Sequence, residues 1–434
     1  MGLTMSMPAA FLHPRDEILA TMERIYSYRM TTTSGGNLSI REENGDIWIT
    51  PARVDKGSLR REDIVCVRAN GSVEGLHAPS SELPLHLAIL KARPDIRGIV
   101  HAHPVALVAF SVVHTVPNTR LFHKAWTVCG EVAFAPYELP GSEALARNVA
   151  EVFGTGHDCA ILENHGVATS GGSLQEAFHR FETLEFTAKT IIKARQIGEV
   201  RYLKDHEMAL AQSRPTRLFE FERATPSSLE KELRRTLREF VRRAYRQRLF
   251  ISTQGSFSAR LDESSFLITP YQVDRGMLDL QDLVLVQSGK AEVGKRPSQA
   301  ALVHETIYQQ HPQIGAIINA CPVNATAFSV TGSTPDTRTI PESYVLLRPI
   351  EQVPFGLQFK DTHALARKVS PRQPVAILEN DGVLVTGSDV LEAYDRLEVL
   401  ESTAEALINC RIIGALAPMP EKVTRQLEKA FLKI

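Results

Sequence analysis

Three histidines and one glutamate are the residues of this 434-residue chain best placed to do chemistry together. His101 and His103 form a His-x-His pair in the apolar run Ile99-Val100-His101-Ala102-His103. Alternate side chains of a strand point the same way, so both imidazoles face one side, one pleat apart. Two imidazoles so placed can close on one metal ion. His165 follows another apolar run and precedes Gly166, at a strand end from which a loop can aim it inward. Three neutral imidazoles leave an open coordination position for a substrate. Glu82 opens the helix just before the His-x-His strand, where a turn can return its carboxylate to the same point. A simple helix N-terminal acid, favoured by the helix dipole, is the other reading of Glu82.

The elements that must position these groups are legible in the apolar periodicity. Leu83, Leu85, Leu87, Ala88 and Leu90 predict a helix over 82–92 that Pro94 ends. Strands are expected over 46–50, 64–68, 99–103, 132–135 and 159–162, and helices over 16–29 and 173–198. Ser34-Gly35-Gly36-Asn37 follows the first helix. Its glycines expose backbone N–H groups, and Asn37 and Ser39 add donors, which suits an anion; a plain helix cap and loop is the alternative. Ser80 and Ser81 read either as N-caps or as phosphate donors.

The chain repeats itself. Ile49-Thr50-Pro51 and Val54-Asp55-Lys56-Gly57 recur as Ile268-Thr269-Pro270 and Val273-Asp274-Arg275-Gly276. Pro79-Ser80 and His86 recur as Pro297-Ser298 and His304, and Ile161-Leu162-Glu163-Asn164-His165-Gly166 recurs as Ile377-Leu378-Glu379-Asn380-Asp381-Gly382. The period is far too long for a solenoid, so two tandem globular domains are expected, over 10–210 and 227–434. A linker is expected near 211–227, where Ser, Pro and Thr cluster. At the positions of Glu82, His101, His103 and His165 the second copy carries Ala300, Asn319, Cys321 and Asp381, so only the first copy can hold the metal.

Composition excludes several classes. Lys plus Arg (49) nearly cancels Asp plus Glu (50), so no global field draws the chain to nucleic acid or anionic membrane. The arginines of the second copy's first helix, expected over 228–248, alternate with apolar residues at helical spacing and read as a solvated outer face. Five scattered cysteines fit neither a disulfide framework nor a zinc ribbon. The first residues show no charged, apolar signal sequence, and no apolar run approaches a membrane span, so a cytoplasmic protein is expected.

Together, Gly36-Asn37-Leu38-Ser39, Pro79-Ser80-Ser81-Glu82, His101-Ala102-His103 and His165-Gly166 resemble the class II aldolase/adducin family, most closely its zinc-dependent sugar-phosphate members. The resemblance implies two α/β domains, each a three-layer α/β/α with a central, mostly antiparallel sheet. It implies Zn2+ or another divalent metal on His101, His103 and His165, Glu82 as the acid/base, and substrate contacts from Gly36, Asn37, Ser80 and Ser81. The implied activity is C–C cleavage of an anionic sugar through an enediolate; relatives on this scaffold also epimerise, decarboxylate and dehydrate. A non-catalytic, adducin-like interaction protein is the competing class, against which the intact first-copy histidines speak. Where the sugar-phosphate aldolases carry Thr-Gly after the Thr-Pro turn, this chain has Ala52-Arg53; the guanidinium of Arg53 suits an anionic substrate end, with Asp55 to orient it. The family's ring tetramer implies a homodimer that alternates the two copies in a pseudo-tetrameric ring, with Tyr344 as candidate proton donor to a neighbouring site.

Overall fold

The computed structural model describes residues 12–212 and 218–432. The amino-terminal residues read above for a signal sequence, and the middle of the 211–227 linker, lie outside them. The described residues up to Thr119, with Lys124–Lys189, form one compact unit; Arg120–His123 and the residues from Thr190 onward form a second.

Unit 1 is built on an eight-stranded sheet. In chain order it runs α1 (Pro14–Ser27), β1 (Asn37–Arg41), β2 (Ile47–Ile49), β3 (Val65–Val67), β4 (Val73–Glu74), α2 (Leu83–Ala92), β5 (Gly98–Ala102), α3 (Val105–Val112), α4 (His123–Cys129), β6 (Ala133–Ala135), α5 (Glu143–Gly154), β7 (Cys159–Leu162), β8 (Gly166–Gly171) and α6 (Leu174–Ile197), of which His123 and the end of α6 from Thr190 belong to unit 2. The strand order is β4-β3-β2-β1-β5-β8-β7-β6, antiparallel except for β6 on β7. Helices α2 and α5 bury Ile89, Leu90, Val149 and Phe153 on one face, against Ile49, Ile99 and Leu162. On the other face α1 packs on β1 and β2, and α6 is tied to the sheet by Thr169 Oγ1 donating to Ala177 O at 2.9 Å. With both faces covered, β5 and β7 are buried throughout, which is why they read as continuous apolar runs. Helix α1 begins earlier than the periodicity predicts, because Pro14 suits a first turn and the His13 ring accepts from Arg15 N at 3.1 Å.

Unit 2 repeats the plan with one strand more. Its elements are α7 (Asp205–Gln212), β9 (Phe219–Phe221), α8 (Ser228–Arg246), β10 (Ser256–Arg260), β11 (Ser265–Ile268), β12 (Val284–Gln287), β13 (Lys290–Glu292), α9 (Ala301–Gln310), β14 (Ala316–Ala320), α10 (Val323–Ser329), α11 (Pro341–Leu347), β15 (Glu351–Val353), α12 (Leu357–Lys360), α13 (Thr362–Ala366), β16 (Val375–Leu378), β17 (Gly382–Gly387), α14 (Val390–Ile413) and α15 (Glu421–Leu427). The strand order is β15-β16-β17-β14-β10-β11-β12-β13-β9. Here the expectation of a wholly solvated arginine face on α8 fails. Arg234 is buried and reaches Glu230 at 2.8 Å, Glu292 at 3.2 Å and the Leu283 carbonyl at 2.6 Å. Its charge is matched by carboxylates from α8 itself and from β13, so burial is tolerated.

His304 of α9 is fully buried, with Nδ1 2.7 Å from Ser258 Oγ and Nε2 2.7 Å from Asn319 Oδ1. Burial pushes its imidazole down from 6.5 to about 4, only partly countered by the Asn319 hydrogen bond. Between those values the unfolded chain binds a proton that the folded chain refuses, so stability falls with falling pH, by up to ~1.4 kcal/mol per unit. Urea unfolding followed by far-UV circular dichroism should show the native chain losing ground to a His304→Gln variant as pH drops from 6.5 towards 4. A pH-independent difference would contradict this.

Candidate metal and acid–base centre

The site is assembled where β1, β5 and the β7–β8 turn meet the start of α2. Antiparallel pairing sets Asn37 opposite His101 and Ala102 opposite Val167. His101 Nδ1 lies 2.9 Å from Val167 O, so that nitrogen carries a hydrogen and Nε2 faces the site. His103, one residue past β5, brings its Nε2 to 3.1 Å from His101 Nε2. His165 enters from the β7–β8 turn, after Asn164 in the left-handed region (φ 52°). One ligand atom from each of the three histidines lies within 4.8 Å of the others; this is the only such group among the described residues. Two glycines make the room. A Cβ on Gly166 would sit 2.6 Å from His103 Cδ2, and one on Gly35 would sit 3.0 Å from His103 Nδ1.

Glu82 is the N-cap residue of α2, and its carboxylate turns into the site instead of capping the helix. Oε2 lies 2.9 Å from His101 Nε2 and accepts from Asn37 Nδ2 at 2.8 Å. Oε1 faces His165 Nε2 at 3.3 Å, buried and without a hydrogen bond. Burial opposes the carboxylate, but the charge and hydrogen bond of His101, the Asn37 amide and the charge of His165 hold its proton affinity well below the usual range. Burial, with the charges of His101 and His165, pushes His103 down to about 3; burial and His101 push His165 down to about 4. His101, also opposed by burial, is raised by Glu82. One ring nitrogen from each of three imidazoles converges beside a buried carboxylate, the kind of nitrogen donor set a divalent cation takes. The donor set therefore fits a divalent metal ion.

His86 is the residue that sequence reasoning missed, although it marks the repeat. Fully buried on α2, it lies 2.5 Å from Asn37 Oδ1 through Nε2 and 2.6 Å from Ser39 Oγ through Nδ1. It fixes the Asn37 amide with oxygen towards His86 and nitrogen towards Glu82. Ser39, expected among the anion donors, is instead buried against His86.

The remaining predicted residues of unit 1 gather beside this centre. Pro51 and Pro79 form a β-bridge, Ala52 N donates to Ala78 O at 3.0 Å and Ser80 N to Thr50 O at 3.1 Å. Lys56 N donates to Thr33 O at 2.9 Å, which draws in the loop leading to Gly36 (φ 74°). The Thr-Pro turn, the glycine loop and Ser80-Ser81 thus share one corner. Ser80 is buried, its Oγ accepting from Glu82 N at 3.3 Å, while Ser81 is exposed. Arg53 is exposed with φ 57°, a left-handed value that favours the glycine seen in the aldolases. Asp55 does not orient it, because its oxygens accept from Gly57 N and Ser58 Oγ, both at 2.9 Å. Tyr344 lies in unit 2, its hydroxyl 2.6 Å from Glu428.

Unit 2 keeps the scaffold of this centre without its ligands. Its strand pair sets Ser256 opposite Asn319, where unit 1 has Asn37 opposite His101. The asparagine has crossed to the facing strand, and His304 keeps an amide partner there. Cys321 Sγ lies 3.5 Å from Asp381 O, and Asp381 Oδ2 accepts from Gln358 at 3.2 Å.

The chain matches the family described as Class II Aldolase and Adducin N-terminal domain twice, over residues 16–192 and 235–408. An L-fuculose phosphate aldolase of Methanococcus maripaludis is 35% identical over 174 residues, which are 40% of this chain and 93% of the relative. A 3-oxo-tetronate 4-phosphate decarboxylase of Haemophilus influenzae is 32% identical over 197 residues, 44% of this chain and 93% of the relative. A solved L-fuculose 1-phosphate aldolase aligns with TM-score 0.42 and 30% identity, over 45% of this chain and 93% of that one. The chain belongs to the class II aldolase and adducin family, carries its domain twice, and is an aldolase-type enzyme.

Proposed function

We propose that unit 1 is a zinc-dependent lyase that cleaves a C–C bond in a sugar phosphate or related anionic sugar. The observation that carries this reading is the convergence of three imidazoles on Glu82, whose Oε1 is buried and without a hydrogen bond. His101, His103 and His165 would hold the metal, which supplies Lewis-acid polarisation of the substrate carbonyl and offsets the charge of an enediolate. Glu82 Oε1 takes and returns the proton, while His86 and Asn37 keep Oε2 turned away from that task. Gly36 N–H, the second Nδ2 hydrogen of Asn37, Ser80 and Ser81 bind the anionic end, with the Arg53 guanidinium above them.

Decarboxylation of an anionic keto acid is the second reading. Arg53 favours it, since a guanidinium pairs with a carboxylate bidentately, and a decarboxylase is among the relatives. Release of CO2 from candidate substrates separates the two.

The domains we propose, 10–210 and 227–434, divide the work between a catalytic and a metal-free copy. In a homodimer the two copies alternate around a pseudo-tetrameric ring, with Tyr344 lent to a neighbouring chain's site as a proton donor. All five cysteines are free thiols, which suits the cytoplasm. No helix among the described residues is long and apolar enough to cross a membrane.

Elemental analysis should find about one tightly bound divalent metal per chain, and His103→Ala should lose it while unit 2 stays folded; two metals per chain would contradict the assignment. Glu82→Gln should keep the metal and lower kcat by ~10²–10⁴, and Tyr344→Phe should lower kcat with metal content unchanged. Full activity in either variant removes that residue from proton transfer. Arg53→Ala should raise KM much more for an anionic substrate than for its neutral analogue, and equal effects on both would deny it the anion.

A further inference from the structure

One corner of unit 2 is covered by a segment that the repeat supplies again elsewhere. Residues Arg120–His123 and those from Thr190 onward belong to this unit. Arg201 N donates to Val330 O at 2.8 Å, just past α10. Asn380 Nδ2 donates to Leu121 O and to Arg201 O, both at 2.9 Å, and Arg201 Nη1 returns a bond to Asn380 Oδ1 at 2.6 Å. Beneath this cover Val330 is 0% and Asn380 1% exposed.

Unit 1 has the same corner without a cover. By the repeat, Val112, Val113 and Asn164 correspond to Val330, Thr331 and Asn380. The backbone is the same: Asn164 and Asn380 have φ 52° and 50°, and their amides donate to Ser111 O at 3.3 Å and Ser329 O at 3.1 Å. Yet Val112 is 56% and Val113 65% exposed, with Val105 at 77% two turns earlier on the same helix face and Asn164 exposed. The covering segment is also repeated. Leu203 N donates to Arg120 O at 2.9 Å, and Met419 N to Arg338 O at 2.8 Å, so residues 412–419 take the course of 196–203. In this second occurrence the segment stands exposed among the described residues: Ile412 is 78% and Ile413 85% exposed.

We propose that the end of α14 and the following residues, 412–419 of a second copy of this chain, dock on the α3 face and Asn164 corner of unit 1. This rests on the two-chain assembly above and names the surfaces that build it. The contact inside unit 2 is its template: Ile412, Ile413 and Leu416 cover Val112 and Val113, and Asn164 Nδ2 donates to the carbonyls of Thr339 and Ala417, the counterparts of Leu121 and Arg201. Two exposed apolar patches are thereby buried, in a head-to-tail contact of the kind that closes rings. Asn164 immediately precedes His165, and Thr339 lies on the same short stretch as Tyr344. The docked copy therefore stands beside the metal site.

The template fixes a cross-link. In unit 2 a Cβ built on Gly198 lies 4.0 Å from Thr331 Cβ. Their counterparts, Gly414 and Val113 in different chains, then fall within disulfide reach. In a Cys410→Ser background, a Val113→Cys/Gly414→Cys chain should oxidise to a covalent dimer, and neither single variant should. Ile413→Asp, at a position exposed in the single chain, should weaken the dimer roughly 10-fold or more in sedimentation, with circular dichroism unchanged. A native mass of one chain, a dimer whose double variant stays unlinked, or a link within one chain would each overturn the proposal. Metal content and turnover are read separately, so a metal-loaded, active protein that fails to cross-link refutes the docking alone.

Discussion

Two imidazole nitrogens 3.1 Å apart, backed by a buried carboxylate, are the constraint on which unit 1 depends. The neighbouring features hold them there. The Val167 carbonyl fixes which nitrogen of His101 faces inward. A side chain at Gly35 or Gly166 would crowd His103 out of its place. Ser39, His86 and Asn37 form a buried chain of hydrogen bonds that aims one oxygen of Glu82 and leaves the other unbound. Such a centre is preorganised for a divalent ion, because the cost of bringing the ligands together is met by the fold before the ion arrives.

Unit 2 shows which parts of that arrangement the fold needs for itself. The metal ligands and Glu82 are gone, yet a buried histidine on the equivalent helix remains with a serine on one side and an amide on the other. An unsatisfied imidazole in a core is costly, so loss of the asparagine from one strand is matched by an asparagine on the strand it pairs with. The histidine network therefore belongs to the scaffold, and unit 1 has turned it towards aiming a carboxylate.

How much was legible followed the range of the interactions. The His-x-His pair, His165 before its glycine, and Glu82 at the helix start depend on local geometry, and the structure brings all four together. Strands β2, β3, β5, β6 and β7 and the tandem units were legible from apolar runs and the repeat, whereas β1, β4 and β8 were not among the expected strands. His86 was not, because its partners Asn37 and Ser39 lie on a strand that only the sheet brings beneath α2. Arg234 was misread for the same reason: one of its carboxylates comes from a distant strand. Residues 190–203 gave no sign of covering a corner of unit 2, since nothing local distinguishes that cover from an ordinary helix end.

The central claim is that one metal binds the three first-copy imidazoles and none binds the second copy. Anomalous diffraction at the zinc edge from crystals of the zinc-loaded protein tests it most directly. The account predicts one peak per chain, ~2.0–2.1 Å from nitrogens of His101, His103 and His165. A peak among Asn319, Cys321 and Asp381, or a first-copy peak that misses any of the three imidazoles, would contradict it.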